Sequence, residues 1–168
     1  MKERIDRLVE TLSLLPHPEG GFYRETYRSE GVIAESHLGN GYEGSRNYAT
    51  SIYFLLTSES FSAFHRIKQD EIWHFYDGAP LHLHIISPEG VYSKILVGKD
   101  IDKGEIPQAT VYGGSWFASE VPQADSYALV GCTVSPGFDF RDFELARGQE
   151  LSEAYPQHQE IIMRLTRE

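Results

Sequence analysis

From Arg46 to Cys132 the chain breaks into short β-rich pieces, and this constrains its fold more than any other feature. The pieces read "YATSIYFLL", "SAFHRI", "EIWHFY", "PLHLHII", "YSKILVG", "QATVYG", "SWFAS" and "SYALVGCTV". Turn-forming clusters such as "TSES", "DGAP", "SPEG" and "DKGE" separate them. Many short strands at close spacing predict an all-β architecture, a sandwich or a closed barrel. Ahead of them, "MKERIDRLVETLSLLP" sets Ile5, Leu8, Val9 and Leu12 at helical spacing. This predicts an amphipathic helix over about residues 2–14, ended before Pro16 and lacking the small-residue cleavage site of a signal peptide. Residues 30–45, "EGVIAESHLGNGYEGS", hold four glycines and read as a mobile loop. The tail predicts helix over about residues 148–166, with Ile161, Ile162 and Leu165 as its apolar stripe. No repeat or linker divides the 168 residues, so one domain spanning 1–168 is expected, with its barrel over about 20–145.

Charge and composition narrow the partners. The net charge of −10, with basic residues scattered, argues against nucleic acid. No run approaches the roughly 20 apolar residues that span a bilayer, so no membrane association is expected. Cys132 is the only cysteine, which rules out an internal disulfide and fits a reducing, cytoplasmic location.

The chemistry concentrates in "FHRIKQDEIWHFYDG", Phe64 to Gly78. Side chains alternate along a strand, so His65 and Ile67 share one face, as do Glu71, Trp73 and Phe75. With those faces inward, His65 and Glu71 can meet as base and orienting partner, as half of a metal site, or as a purely structural pair. Trp73 and Trp116 are candidate flat walls for a ring-shaped ligand, and core packing is the competing role. Arg46 is a candidate anion clamp or an exposed strand-start residue. Gln108 can orient a ligand hydroxyl or hold a loop. In "PLHLHII", Leu81, Leu83 and Ile85 take the interior face, which turns His82 and His84 outward. Asp139 and Asp142 read as turn or capping groups.

The same stretch resembles the first motif of the cupin superfamily, two histidines one residue apart, then three spacers, a glutamate, six spacers and a glycine. His65, Glu71 and Gly78 match, and Ile67 stands where the second histidine belongs. The second motif aligns on "YGGSWF", where Gly114 matches but Tyr112 and Phe117 replace a proline and a histidine. Two of the four usual metal donors are therefore missing. "HPEGGFYRETY", "SIYFLL", "FSAFHRIKQDEIWHFYDGAPL", "ALVGCTVSPGFDFRDFEL" and "YPQH" resemble, more narrowly, the cupin 5 branch, domain of unknown function 985.

That resemblance implies a cupin-type double-stranded β-helix, a jelly-roll barrel with short N- and C-terminal helices and an interior pocket. It also resembles the cupin nucleotide-sugar epimerases, in which a histidine base removes a proton next to a ketone. The expected function is binding of a small molecule, with epimerase or isomerase chemistry on a sugar-like or carbonyl compound. His65 would act as the base and Glu71 as its partner, with Arg46, Trp73, Gln108 and Trp116 around the ligand. No cofactor is expected. The alternatives are a non-catalytic binding or sensing module and a divalent-metal oxygenase or isomerase, its metal held by His65 and Glu71. The resemblance further implies a homodimer, which also fits the aromatic residues that one small barrel leaves uncovered. A dimer mass by light scattering at micromolar concentration is the expected result, and a clean monomer mass would contradict it.

Overall fold

Alternation along the strands sorts the side chains between an interior and two outer faces. The computed structural model describes residues 1–167. The chain runs α1 (Lys2–Thr11), β1 (Leu15–Pro16), β2 (Phe22–Arg28), β3 (Val32–Ile33), β4 (Arg46–Asn47), β5 (Thr50–Thr57), β6 (Phe61–Arg66) and β7 (Asp70–Gly78). It continues through β8 (Leu81–Ile86), β9 (Tyr92–Val97), β10 (Gln108–Val111), β11 (Trp116–Glu120), β12 (Tyr127–Ser135) and β13 (Glu144–Leu145) to α2 (Gly148–Ala154) and α3 (Gln159–Arg164). The strand order is β1-β2-β5-β12-β7-β10 in the first sheet and β13-β6-β11-β8-β9 in the second, and every pairing within these two sheets is antiparallel.

The sheets meet across one core, with Phe54, Trp73, Val130 and Cys132 from the first against Leu81, Leu83, Ile85 and Phe117 from the second. This is the jelly-roll arrangement of the cupin fold, all-β with short terminal helices. The leucine–isoleucine face of β8 points inward, as its alternation with His82 and His84 predicts. Helices cover the outer faces. Leu8 of α1 packs on Leu55, Tyr127 and Leu129, and Leu151 and Ile162 of α2 and α3 pack on Phe64, Ile86 and Trp116. Gly78 closes β7 at φ +101, where a Cβ would lie 2.1 Å from the Tyr127 carbonyl oxygen, so only glycine fits.

The helical boundaries differ from the expected ones for local reasons. α1 stops at Thr11 because Ser13 adopts a left-handed conformation, φ 53, and Leu14 turns back into the cluster with Leu55. The tail is two helices rather than one, broken at Tyr155–Pro156, because proline lacks an N–H and disfavours helical backbone in the residue before it. Within residues 30–45, read as a loop, Val32–Ile33 pairs with Arg46–Asn47.

Arg46 anchors that segment, which corrects its expected role as a ligand clamp. Its guanidinium forms a two-pronged pair with buried Asp142, at 2.7 and 2.8 Å, and donates further to the carbonyls of Glu43, Gly44 and Ser45. Gln69 Nε2 adds a 2.7 Å bond to Asp142. Every nitrogen of the Arg46 guanidinium donates to a protein oxygen, and Asp142 is a buried counter-ion rather than a turn group. Asp142→Asn strands a buried guanidinium, and is expected to cost about 3–5 kcal/mol of unfolding free energy in urea denaturation. A loss below about 1 kcal/mol, typical of surface pairs, would show that the pair is not what holds this segment.

Candidate functional site

A cavity of about 560 Å³ lies among β2, β5, β6, β7, β12 and the segment 138–143. Its walls are largely apolar, with Ile52, Phe54, Val134, Phe138 and Phe143 among them, and its buried titratable groups include His65 on β6, Glu71 on β7 and Glu19 in the turn before β2, while β2 itself contributes Arg24, Glu25 and Arg28. His65, Ile67, Glu71 and Trp73 all line it, as their shared strand parity predicts. Phe117, at the position of the missing second-motif histidine, packs its ring 4.0 Å from that of His65.

The partner of His65 is not Glu71. It is Glu19, whose Oε2 lies 3.0 Å from His65 Nε2. Glu19 sits in the "HPEGG" turn, which docks on β6 by a 2.9 Å bond from the Ala63 N–H to the Glu19 carbonyl. Gly20 permits that approach, since at φ +114 an added Cβ would fall 2.1 Å from the Phe61 carbonyl oxygen. Arg167 reaches across from the C-terminal end to the carbonyls of Glu19 and Phe61. Ser62 Oγ donates to Glu19 Oε1 at 2.9 Å, while Oε2 is buried with no hydrogen-bond partner aligned on it. The Trp73 indole Nε1 is likewise buried and unpartnered.

Hydrogen bonding fixes the tautomers. His65 Nδ1 is 2.7 Å from the Ala63 carbonyl, which can only accept, so Nδ1 carries a proton and Nε2 of the neutral ring is a bare lone pair towards Glu19. His17 Nδ1 accepts the Glu19 backbone N–H at 3.2 Å, which leaves the proton of a neutral ring on its Nε2.

Burial then decides the charges. Desolvation disfavours an ionised form, so it raises carboxyls and lowers imidazoles. Glu19 is pushed well above the usual carboxylate range, by burial first and by the Glu71 charge second, against Ser62 and Arg167. Glu71 is raised to about 7 by burial, opposed by the neighbouring Cys132 thiol and Trp73 indole. His65 falls to about 3 and His17 to about 4, burial leading in both. Glu19 is thus held towards its protonated form and His65 towards its neutral one, and near neutral pH Glu71 is the group of the four that exchanges protons readily.

The interior does not fit the metal that the cupin motif implies. Ile67 and Phe117 offer no donor at two of the four ligand positions, which leaves at most His65 and Glu71 of that set, short of the three or four protein donors such a centre takes. Among the described residues, three metal-ligating side chains converge only at His82, His84 and Glu120, on the outer face of the second sheet.

Two further expected ligand contacts are displaced. Trp116 and Phe117 are consecutive on β11 and face opposite sides. Phe117 faces inward, so Trp116 lies under the C-terminal helices with Arg66 4.4 Å over its ring. Gln108 opens β10 beside His74, exposed and away from the cavity. The arginines at the cavity are Arg24 and Arg28 on β2, and Arg28 is engaged two-pronged by Glu25 at 2.9 and 2.8 Å. Glu19 and His17 went unnoticed in the sequence. The one signal there was a carboxyl set directly before two glycines.

Comparison with known proteins places this geometry. Residues 6–146 match the family described as cupin superfamily (DUF985). An uncharacterised Saccharomyces cerevisiae protein, YML079W, is 32% identical over 155 residues, covering 87% of this chain and 77% of that protein. A hypothetical protein from Leishmania major superposes with a TM-score of 0.87 at 40% identity, covering 97% of this chain and 98% of that one. A Shewanella oneidensis protein gives 0.86 at 43%, covering 96% of each. Oxalate decarboxylase of Bacillus subtilis shares the fold, with a TM-score of 0.55 at 14% identity over 89% of this chain and 36% of that one. The chain belongs to the DUF985 family of the cupin superfamily.

Proposed function

We propose that the cavity binds an uncharged small molecule bearing a carbonyl group and moves a proton on the carbon next to it, as an isomerase or epimerase does. The observation that carries this reading is the pair of buried carboxyls on one cavity, both raised by burial, Glu71 to about 7 and Glu19 well above the usual carboxylate range. Such a pair supplies a base and an acid at the same pH. Glu71, half ionised near 7, is the better base. His65 is the weaker one, because burial has lowered it to about 3 and both its nitrogens face protein partners.

In the step, the Glu71 carboxylate takes the proton from the carbon. The C–H electron pair becomes the C=C of an enol, and the Glu19 carboxyl gives its proton to the carbonyl oxygen. Glu71 then returns its proton to the same or the neighbouring carbon while an enol hydroxyl gives its proton back to the Glu19 carboxylate, which regenerates the Glu71 carboxylate and the Glu19 acid, so no cofactor is consumed. The buried Trp73 N–H lies beside Glu71, where it favours the carboxylate form. His65 is a positioning residue, its Nε2 lying 3.0 Å from Glu19 Oε2. The apolar walls suit an uncharged, partly aliphatic or ring-shaped body, and they exclude the water that would screen the pair.

Hydrogen–deuterium exchange next to carbonyls, over a panel of keto-sugars and simple hydroxyketones, tests the reading. Wild-type exchange is expected to rise with pH through about 7 and level off above it, as Glu71 ionises. Glu71→Gln should lose about 10²–10⁴-fold, and Glu19→Gln should slow exchange without moving that pH midpoint. Equal exchange in wild type and Glu71→Gln would sink the assignment. Tight retention of a carbonyl compound with no exchange at any pH would favour the non-catalytic binding module instead.

A further inference from the structure

The second sheet carries a separate constellation on the face turned away from the cavity. His82 and His84 stand two apart on β8, and Glu120 of β11 is the cross-strand partner of His82. One ligand atom from each of the three lies within 4.8 Å of the other two. His84 Nε2 is 3.0 Å from Glu120 Oε1. Two donors on one tetrahedral zinc, each about 2.0–2.1 Å from the ion, sit roughly 3.3–3.5 Å apart. The pair therefore stands within a few tenths of an ångström of sharing an ion.

The surroundings resemble those of a held ligand. His84 is buried, its ring stacked on Tyr92 at an interplanar angle of 19°, and its Nδ1 is 2.8 Å from the Tyr92 hydroxyl. When Nδ1–H donates to that hydroxyl, Nε2 presents its lone pair to the Glu120 carboxylate, and the two need a cation between them. An outer hydrogen bond of this kind is how metal-binding histidines are commonly oriented. We propose that His82, His84 and Glu120 form a site for a zinc-class divalent cation, with three protein donors and one position open to water or a further molecule. Two imidazoles and one carboxylate suit zinc and its first-row neighbours rather than calcium or magnesium. Arg164 of α3 competes, because it grips Glu120 at 2.5 and 2.8 Å, so the ion must take Oε1 from it. That competition makes the site weaker than a closed structural zinc site and ties its occupancy to how α3 is held.

Calorimetric titration of the full chain with zinc chloride in a non-chelating buffer near pH 7.5 tests this. One equivalent is expected to bind to wild type and to raise its melting temperature by mass action. His82→Ala, at a half-buried position that leaves the core intact, should abolish both effects. Tyr92→Phe should weaken binding about 10–100-fold, the usual effect of losing an orienting partner. The barrel variant Glu71→Gln should still bind one equivalent. No stoichiometric binding in wild type, or binding unchanged in His82→Ala, would overturn the site.

Discussion

Desolvation governs the interior of this barrel. Glu19, Glu71, His17 and His65 are enclosed largely by apolar side chains, and the Arg167 charge that acts on Glu19 does not outweigh its burial. Each responds by staying near its neutral form. The same constraint is met by pairing at Arg46 and Asp142, where a two-pronged guanidinium keeps the carboxylate ionised and below its usual range. One solution gives an inert anchor and the other gives groups that can exchange protons, and the chain uses each in its place.

The cavity groups carry a cost in stability with a definite sign. Between about 4.5 and 7 the folded state keeps the Glu71 proton that the unfolded chain releases, so this group destabilises the fold as pH rises through that window. His17 and His65 act oppositely. Their folded values, about 4 and 3, lie below the ordinary 6.5, so the fold loses stability as pH falls through that interval. The cavity alone is therefore most compatible with folding between these limits, consistent with a site kept for function rather than for stability.

Much of the fold and part of the site were legible in the residues. Period-two alternation put Leu81, Leu83 and Ile85 inside and His82 and His84 outside, and it set His65, Glu71 and Trp73 on the cavity. Strict use of the same rule separates Trp116 from Phe117, because consecutive strand residues cannot both face inward. What the sequence hid was long-range pairing. Glu19 reaches His65 only because the turn before β2 folds against β6, and Arg46 finds Asp142 96 residues away. No local pattern encodes either meeting. The motif departures were legible as well. Isoleucine and phenylalanine at two donor positions remove the interior metal set, while the histidines of β8 gather a different one outside.

The proposed proton transfer depends on the ionisation of Glu71. Carbon-13 NMR of protein labelled at the glutamate side-chain carboxyl, titrated from pH 4 to 9 and assigned by the signal missing in Glu71→Gln, measures it directly. A buried carboxyl titrating near 7, above the ordinary value of 4.5, is the expected result. Titration at or below 4.5 would show Glu71 solvated or paired, and would remove the base on which the proposed chemistry rests.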